Sequence, residues 1–227
     1  MPFVSCIVPV YNEGPRLASV LRIVTAHALV DEVIVVDDHS IDDSLAVAKS
    51  FKNVRVIHHE KNFGKSRAIV TGITQSRGDI IFLLDGDLIG LVPEHVTALL
   101  QPVLLQQVVV SISLRQNTPW INHLIGVDLF SGERVFAKKI IIDHLDTISQ
   151  LTRFGFETYI NTIIIQQQYS IKIVPWNTVI SPWKGHKQGL LLGLKNDCIM
   201  IRDILDIASP YQVLRQWIQF SCLRVKE

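Results

Sequence analysis

Short apolar runs alternate with longer amphipathic segments over residues 4 to about 110, and this alternation restricts the fold more than any other feature. It is typical of βαβ units built around a parallel sheet. Several runs are continuously apolar, as strands covered by helices on both faces require. The predicted strands are 4–10, 33–36, 54–58, 80–84 and 108–113. The sequence therefore predicts an α/β fold with a Rossmann-like, mostly parallel central sheet flanked by helices.

Helical patterns separate the first strands. One apolar helix face is predicted from residues spaced i, i+3, i+4 and i+7, namely Leu17, Val20, Leu21 and Val24. Ser40, followed three residues later by Asp43, predicts a capping-box start for a second helix. A third helix is predicted over 64–75. The first half of the chain thus contains complete βαβ units.

The second half of the chain is less regular. A strand is predicted within 127–136, a helix over 156–168 and another strand over 170–180. Beyond Trp183, an apolar stripe indicates a long amphipathic helix, with members Leu190, Leu191, Leu194, Cys198, Ile201 and Leu205. Pro210 interrupts this pattern before a last helix. We expect one domain over 1–185, divided into two halves (1–113 and 114–185) and followed by C-terminal amphipathic helices over 186–227.

Composition excludes several classes of protein. A net charge of +1 over 227 residues gives no overall field that would attract nucleic acid. Three widely spaced cysteines, Cys6, Cys198 and Cys222, match neither a disulfide framework nor a zinc site, so we expect a cytoplasmic location. The N-terminus lacks the basic region of a signal peptide, and no run of about 18 apolar residues predicts a transmembrane helix.

Polar residues follow the predicted strands at the positions where ligands of α/β sheets bind. The first strand leads into 11–13, the second into 37–40 and the fourth into 85–87. Because ligands bind beyond the carboxyl ends of such strands, these distant clusters should meet in one crevice.

Together these segments resemble family 2 glycosyltransferases, whose nucleotide-binding domain has the GT-A fold. The resemblance covers roughly residues 4–110. It consists of PVYNE at 9–13, DDHS at 37–40 where the family usually has DDGS, NFGKSRAIVTGI at 62–73, and DGD at 85–87. Each motif is weak alone, but their order and their places at strand and helix ends make the joint signal specific. The resemblance implies transfer of a sugar from a UDP- or GDP-linked donor, with inversion. It also implies that 1–185 is the GT-A glycosyltransferase domain, with 1–113 as the nucleotide-sugar-binding half and 114–185 as the acceptor half.

The resemblance implies a divalent metal at the segment Asp85, Gly86 and Asp87. A nucleotide diphosphate is strongly negative, so two carboxylates can approach it only through a hard cation such as Mg²⁺ or Mn²⁺. Asp87 is the first candidate ligand, and Asp85 bonds the metal, its water or the ribose. His186 is a candidate third ligand. Helix capping by these carboxylates is the structural alternative.

The resemblance also assigns the nucleoside pocket. Pro9, Tyr11 and Glu13 line it, and Asp38 bonds the edge of the base. The alternative for Asp38 is a turn or helix start, a task that Asp37 can perform instead. His39, in place of the usual glycine, suggests a left-handed backbone conformation, which histidine tolerates moderately.

Gly64 and Lys65 open the third predicted helix. Glycine lets the backbone turn closely into a helix whose N-terminus favours an anion. Lys65 then adds positive charge near the donor, or alternatively is a solvated lysine.

The segment 128–136 looks like the SGxRxF segment of polyprenyl-phosphate sugar transferases, the branch that includes dolichol-phosphate mannose synthase. In that branch the serine and arginine attend to a phosphate, which implies this role for Ser131 and Arg134. A surface arginine at a strand edge is the alternative. Residues 154–157 resemble a glycine-aromatic-glutamate segment beside the acceptor site. Glu157 is the candidate base for a hydroxyl acceptor, whereas a phosphate acceptor needs no base.

The branch assignment has one departure. Polyprenyl-phosphate enzymes continue the metal motif as DxDLQ, whereas Leu88 is followed here by 89–91 with the sequence IGL. The expected acceptor is therefore a polyprenyl phosphate, another lipid-linked or phosphorylated molecule, or a glycan. A catalytically silent GT-A binding or scaffold protein is the alternative function, suggested by His39 and the uncertain base. A dinucleotide oxidoreductase is disfavoured because no GxGxxG follows the first strand.

Residues 186–227 are also a candidate membrane contact. Their apolar stripe, accompanied by basic residues at Lys184, Lys187, Lys195 and Arg202, fits an interfacial helix as well as one that packs on the domain. Membrane contact would place the active site at the inner face of a membrane, near a lipid acceptor.

Overall fold

The structure is a computed structural model that describes residues 2–151, 155–182 and 210–225. Within these residues the strands are β1 (Val4–Val10), β2 (Glu32–Asp37), β3 (Val54–His58), β4 (Ile80–Leu83), β5 (Val110–Arg115), β6 (Arg134–Ala137) and β7 (Ile171–Trp176). The helices are α1 (Gly14–Thr25), α2 (Ser44–Lys49), α3 (Lys65–Gln75), α4 (Pro93–Leu104), α5 (Trp120–Ile125), α6 (Leu145–Ser149), α7 (Gly155–Gln166) and α8 (Pro210–Leu223). Two 3₁₀ turns, Lys138–Ile140 and Ile142–His144, precede α6.

All these strands belong to one sheet with the order β3-β2-β1-β4-β6-β5-β7. Every neighbouring pair is parallel except those of β6, which runs antiparallel to both β4 and β5. The sheet is therefore mostly parallel, and the predicted α/β class is confirmed. The chain moves from β1 outward through β2 to β3, then returns to place β4 on the other side of β1.

Helices cover both faces of the sheet, which explains the apolar strands. Alternate residues of β1 face opposite layers: Val8 packs with α1 and α4, and Ile7 packs with α3. The predicted face of α1 is confirmed, because its four apolar residues are all fully buried in the first layer. The second layer contains residues of α3, α7 and α8. The 48% hydrophobic content thus resides largely in two cores.

Strand β5 begins and ends two residues later than predicted. The amide of Val108 still donates to the carbonyl of Pro102, near the end of α4, at 3.2 Å. Val108, the first residue of the predicted strand 108–113, therefore belongs to the turn after α4. The shift matters because Arg115, outside the predicted strand, is the last residue of β5.

The predicted capping box at Ser40 and Asp43 is wrong. Helix α2 begins at Ser44, and Asp43 makes no side-chain hydrogen bond as its N-cap. The Ser40 hydroxyl instead accepts a hydrogen bond from the Asn12 amide at 3.0 Å. This contact ties the loop after β2 to the loop after β1.

The predicted stripe from 190 to 205 and the domain boundary at 185 lie outside the described residues. Helix α8 begins at Pro210, so this proline opens the last helix. Phe220 of α8 is fully buried in the layer that also contains α7. Among the residues that the structure describes, no helix has the length and apolarity needed to cross a membrane.

Replacing Gly64 tests how the backbone enters α3. Gly64 has φ 92° and ψ 161°, a conformation open almost only to glycine, and no atom lies within 4 Å of where a Cβ would stand. Gly64→Ala should therefore lower the free energy of unfolding by about 1–3 kcal/mol through backbone strain alone. Urea denaturation measures the change.

The matched control is Arg67→Ala, an exposed position on the same helix, for which we expect a change within about 0.5 kcal/mol. Equal stability of Gly64→Ala and the wild type would contradict the strain argument.

Candidate active site

The candidate site lies where the direction of chain winding changes, between β1 and β4. Crevices at such switch points, outside the carboxyl ends of the strands, are the usual ligand sites of open α/β sheets. The loops after β1 and β2 are joined there: the Asn12 amide donates to the Ser40 hydroxyl at 3.0 Å, and the Asn12 side-chain oxygen accepts from the Ile41 amide at 2.9 Å. The predicted convergence of these loops is confirmed.

Asp85 and Asp87 follow β4 into this crevice, and both are partly exposed. Asp85 is held by cations, since one oxygen lies 2.8 Å from Lys65 Nζ and the other 3.9 Å from Arg115. Burial alone would raise the pKa of Asp85, but Lys65 and Arg115 lower it below its usual value. The hydroxyl of Ser181 donates to the two Asp87 oxygens at 3.2 and 3.3 Å.

Lys65 is the first residue of α3 and joins three elements. Its ammonium lies 2.8 Å from Asp85 and 3.0 Å from Oε1 of the fully buried Glu157 in α7. Burial alone would lower the pKa of Lys65, but the two carboxylates raise it above its usual value. Lys65 is therefore a paired cation inside the crevice, not the solvated lysine of the alternative interpretation.

Gly132 makes room for this ion pair. A Cβ at Gly132 would stand 2.7 Å from both Asp85 Oδ1 and Lys65 Nζ. The loop before β6 thus approaches the pair with its backbone. Only glycine permits this approach without displacing one of the two charged groups.

Arg115, at the end of β5, was missed by the sequence analysis. Besides Asp85, its guanidinium lies 3.4 Å from Glu133 and 3.9 Å from Asp128. Burial alone would lower the pKa of Arg115, but Glu133 and the neighbouring aspartates raise it. Asp85 was predicted from its position just after a strand. The same reasoning would have identified Arg115 if the predicted strand had extended to residue 115.

Arg134 does not lie where it was expected. It is fully buried, and it donates from Nε to the Ser131 carbonyl, from Nη1 to the Asn161 side-chain oxygen and from Nη2 to the Leu129 carbonyl, at 2.6–2.7 Å. Burial is the main effect that lowers its pKa. The guanidinium holds the preceding loop in place. This geometry contradicts the surface-arginine alternative, because a strand between β4 and β5 has no free edge. Phosphate binding by Arg134 stays a prediction.

Ser131 is also fully buried. Its hydroxyl donates to Glu133 at 2.9 Å and lies 2.7 Å from the hydroxyl of Ser113. Burial raises the pKa of Glu133, and the negative charge of Asp85 raises it further. The expected contact between Ser131 and an acceptor phosphate is therefore not supported by its position.

The residues expected around the nucleoside fall into two groups. Tyr11 is 47% exposed at the mouth of the crevice, and Pro9 and Glu13 are partly buried beside it. Pro9 lies beyond the last residue pair of β1 and β4, so its lack of a backbone N–H removes no hydrogen bond between these two strands. Asp38, in contrast, is buried within the protein.

The Asp38 carboxylate accepts three hydrogen bonds from the protein. The donors are the amides of Phe63 and Gly64, at 3.0 and 2.7 Å, and Nδ1 of His59 at 2.7 Å. A carboxylate offers about four acceptor positions, so at most about one is left for a base. Its neighbour Asp37 accepts from the Ser40 amide at 3.3 Å and so makes the turn that the alternative assigned to it.

The left-handed conformation suggested for His39 is confirmed, with φ 65°. Its ring stacks on that of His58 with the centroids 5.9 Å apart. The turn therefore accepts a side chain at this position.

The charges of the site fit a cation. Its carboxylates are Asp85, Asp87, Asp128, Glu133 and Glu157, and its cationic groups are Lys65, Arg115 and Arg134. The carboxylates outnumber the cationic groups even when Glu133 is protonated, so the site has an excess of negative charge that favours a bound cation. Within the described ranges, no three His, Cys, Asp or Glu side chains are arranged as a complete metal site, and His186 lies outside those ranges.

Comparisons with known proteins agree with this geometry. The family model described as "Glycosyl transferase family 2" matches residues 5–154. An undecaprenyl-phosphate 4-deoxy-4-formamido-L-arabinose transferase of Pseudomonas fluorescens is 40% identical over 94 residues, which are 37% of this chain and 28% of the relative. A dodecaprenyl-phosphate galacturonate synthase of Rhizobium johnstonii is 33% identical over 93 residues, again 37% and 28%. The chain thus spans under a third of these relatives, which are polyprenyl-phosphate enzymes by name, as the expected branch predicts.

Solved structures share the fold. Glucosyl-3-phosphoglycerate synthase of Mycobacterium tuberculosis, crystallised with Mn²⁺, UDP-glucose and phosphoglyceric acid, superposes with a TM-score of 0.69 at 21% identity, over 91% of this chain and 79% of that one. The predicted GT-A fold is confirmed. Since the family model covers well over half of the sequence, the chain belongs to glycosyl transferase family 2.

Proposed function

We propose that this protein transfers a sugar from a UDP- or GDP-linked donor to a phosphate-bearing acceptor, with a polyprenyl phosphate as the acceptor class. The observation that carries the proposal is the position of Asp85, Asp87 and Lys65 at the switch-point crevice. The polyprenyl-phosphate relatives support the acceptor class. In the transfer, an acceptor oxygen bonds to the sugar carbon as the bond from that carbon to the diphosphate breaks, with inversion at the carbon.

The donor half supplies the electrostatics of this step. Asp87, with Asp85, would hold Mg²⁺ or Mn²⁺, which stabilises negative charge on the departing diphosphate when bound. Lys65 adds a fixed cation beside Asp85, and Glu157 holds that cation from the other side. His186 stays a candidate third ligand.

Glu157 fits the role of an anchor for Lys65 better than that of a general base. It is fully buried, and Oε1 faces the ammonium at 3.0 Å. A phosphate acceptor is already ionised and needs no base. The geometry and the proposed acceptor class thus support the same role for Glu157.

The silent-scaffold alternative loses one of its two supports. His39 has the left-handed backbone that a glycine would have in its place, so the substitution leaves the turn intact. Asp85 is also paired with two cationic side chains, Lys65 and Arg115, in the crevice.

Asp87→Asn tests the metal assignment. The amide keeps the size of the carboxylate and can still accept from Ser181, but it removes the charge that binds the cation. Mn²⁺-dependent binding of UDP or GDP, measured by calorimetry, should weaken at least about tenfold, as disruption of metal sites generally does.

The control for Asp87→Asn is the exposed Asp143→Asn, which should bind like the wild type. Metal-dependent binding that is unchanged in Asp87→Asn would contradict the assignment.

The Glu157→Gln variant distinguishes a role as an anchor for Lys65 from a role as a general base. Loss of a general base lowers kcat about 10²–10⁴-fold, whereas loss of one contact to Lys65 should lower it less than about tenfold. Steady-state kinetics with a polyprenyl phosphate acceptor distinguish the two. The exposed Glu94→Gln serves as control, and a loss of about a hundredfold or more would establish the base instead.

Membrane contact through 186–227, and with it a position at the cytoplasmic face of a membrane, is a separate part of the proposal. If the basic residues of this segment face lipid, replacing Lys184, Lys187, Lys195 and Arg202 by glutamine should abolish sedimentation with anionic vesicles, since each contributes about 1 kcal/mol near such a surface. Zwitterionic vesicles are the control. Equal sedimentation of variant and wild type would contradict this contact.

A further inference from the structure

Two consecutive histidines follow the same pattern in different surroundings. His58 ends β3 and His59 comes next, and each Nδ1 lies 2.7 Å from a carboxylate oxygen of consecutive aspartates, Asp37 and Asp38. The parallel register of β2 and β3 pairs Asp37 with His58 and so brings both histidines to the carboxyl end of the sheet.

The surroundings of the two pairs distinguish their roles. His58 is 41% exposed, whereas the side chain of His59 is only 10% exposed. Nε2 of His59 lies 3.0 Å from the hydroxyl of Thr71 in α3, and its ring meets the Phe63 ring edge-on at 5.3 Å. His59 is therefore fixed from both ring nitrogens.

Through Asp38, His59 connects to the start of α3. The two Asp38 oxygens accept from the amides of Phe63 and Gly64, the residues that lead into the helix. A carboxylate at this position also interacts favourably with the N-terminal end of the helix dipole. The orientation of the Asp38 carboxylate therefore determines where α3 begins.

Lys65 is the next residue after Gly64, so a shift of this turn moves the lysine. Its ammonium must reach Asp85 and Glu157 at 2.8 and 3.0 Å, in two other elements. A displacement of about 1 Å would break at least one of these contacts.

We infer that His59 is a positioning residue: it holds Asp38 in the orientation that fixes the Phe63–Gly64 turn and thereby places Lys65 in the donor site. His58, which bonds the neighbouring aspartate, has no such link to Lys65. The inference rests on the proposed function only for the consequence in nucleotide binding. The local effect on the turn is independent of it.

The test compares His59→Phe, which keeps the ring but loses both hydrogen bonds, with His58→Phe as the matched control. Hydrogen exchange of the Phe63 and Gly64 amides, measured by NMR without nucleotide, should accelerate roughly five- to tenfold in His59→Phe and stay unchanged in His58→Phe. Unchanged exchange in His59→Phe, or equal acceleration in both, would overturn the inference.

Conservative variants separate positioning from general destabilisation. His59→Asn keeps a donor near the place of Nδ1, so exchange and affinity should return to within about threefold of the wild type. Thr71→Val removes only the second contact and should give a smaller acceleration than His59→Phe, which keeps the test usable if that variant does not fold. Failure of His59→Asn to restore the turn would count against the role of the Asp38 contact.

Calorimetry with UDP or GDP and Mn²⁺ then measures the nucleotide affinity of the donor site in each variant. We expect His59→Phe to weaken binding about tenfold and His58→Phe to leave it unchanged, and wild-type affinity in His59→Phe would overturn the link to Lys65. If the wild type itself binds neither nucleotide, the proposed function fails, while the exchange experiment still decides whether His59 fixes the turn.

Discussion

The ammonium of Lys65, between Asp85 and Glu157, is the contact on which the arrangement of the site depends. It joins the start of α3, the end of β4 and the start of α7, three elements that are remote in sequence. Because the Glu157 side chain is fully buried, it has no water as a substitute partner for Lys65. The three elements are thereby held together at the crevice.

A second feature of the site is that buried charged side chains hold other parts of the site in position. Arg134 is fully buried, and it holds the loop from which Gly132 reaches the ion pair. Arg115 in turn is surrounded by Asp85, Asp128 and Glu133. Buried networks of this kind tolerate little movement, since each unpaired member would carry the full cost of desolvation.

The parallel half of the fold could be predicted from sequence because local signals there agree with tertiary structure. The apolar runs 4–10 and 54–58 form β1 and β3 with the predicted bounds, and the polar residues after β1 and β2 do meet. The direction of β6 could not be predicted, since a four-residue strand carries no sign of its orientation. The burial of Arg134 follows from the position of β6 between β4 and β5. A motif match alone does not reveal this position.

The reversed direction of β6 has a consequence for how the acceptor side can vary. Two neighbouring antiparallel strands can be joined without a helical crossover. The connection 116–133 between β5 and β6 therefore does not need the minimum length that a βαβ unit requires. Its carboxyl-terminal end still delivers Gly132 to the ion pair. The backbone that faces the ion pair therefore belongs to a connection whose length the pairing of the strands does not dictate.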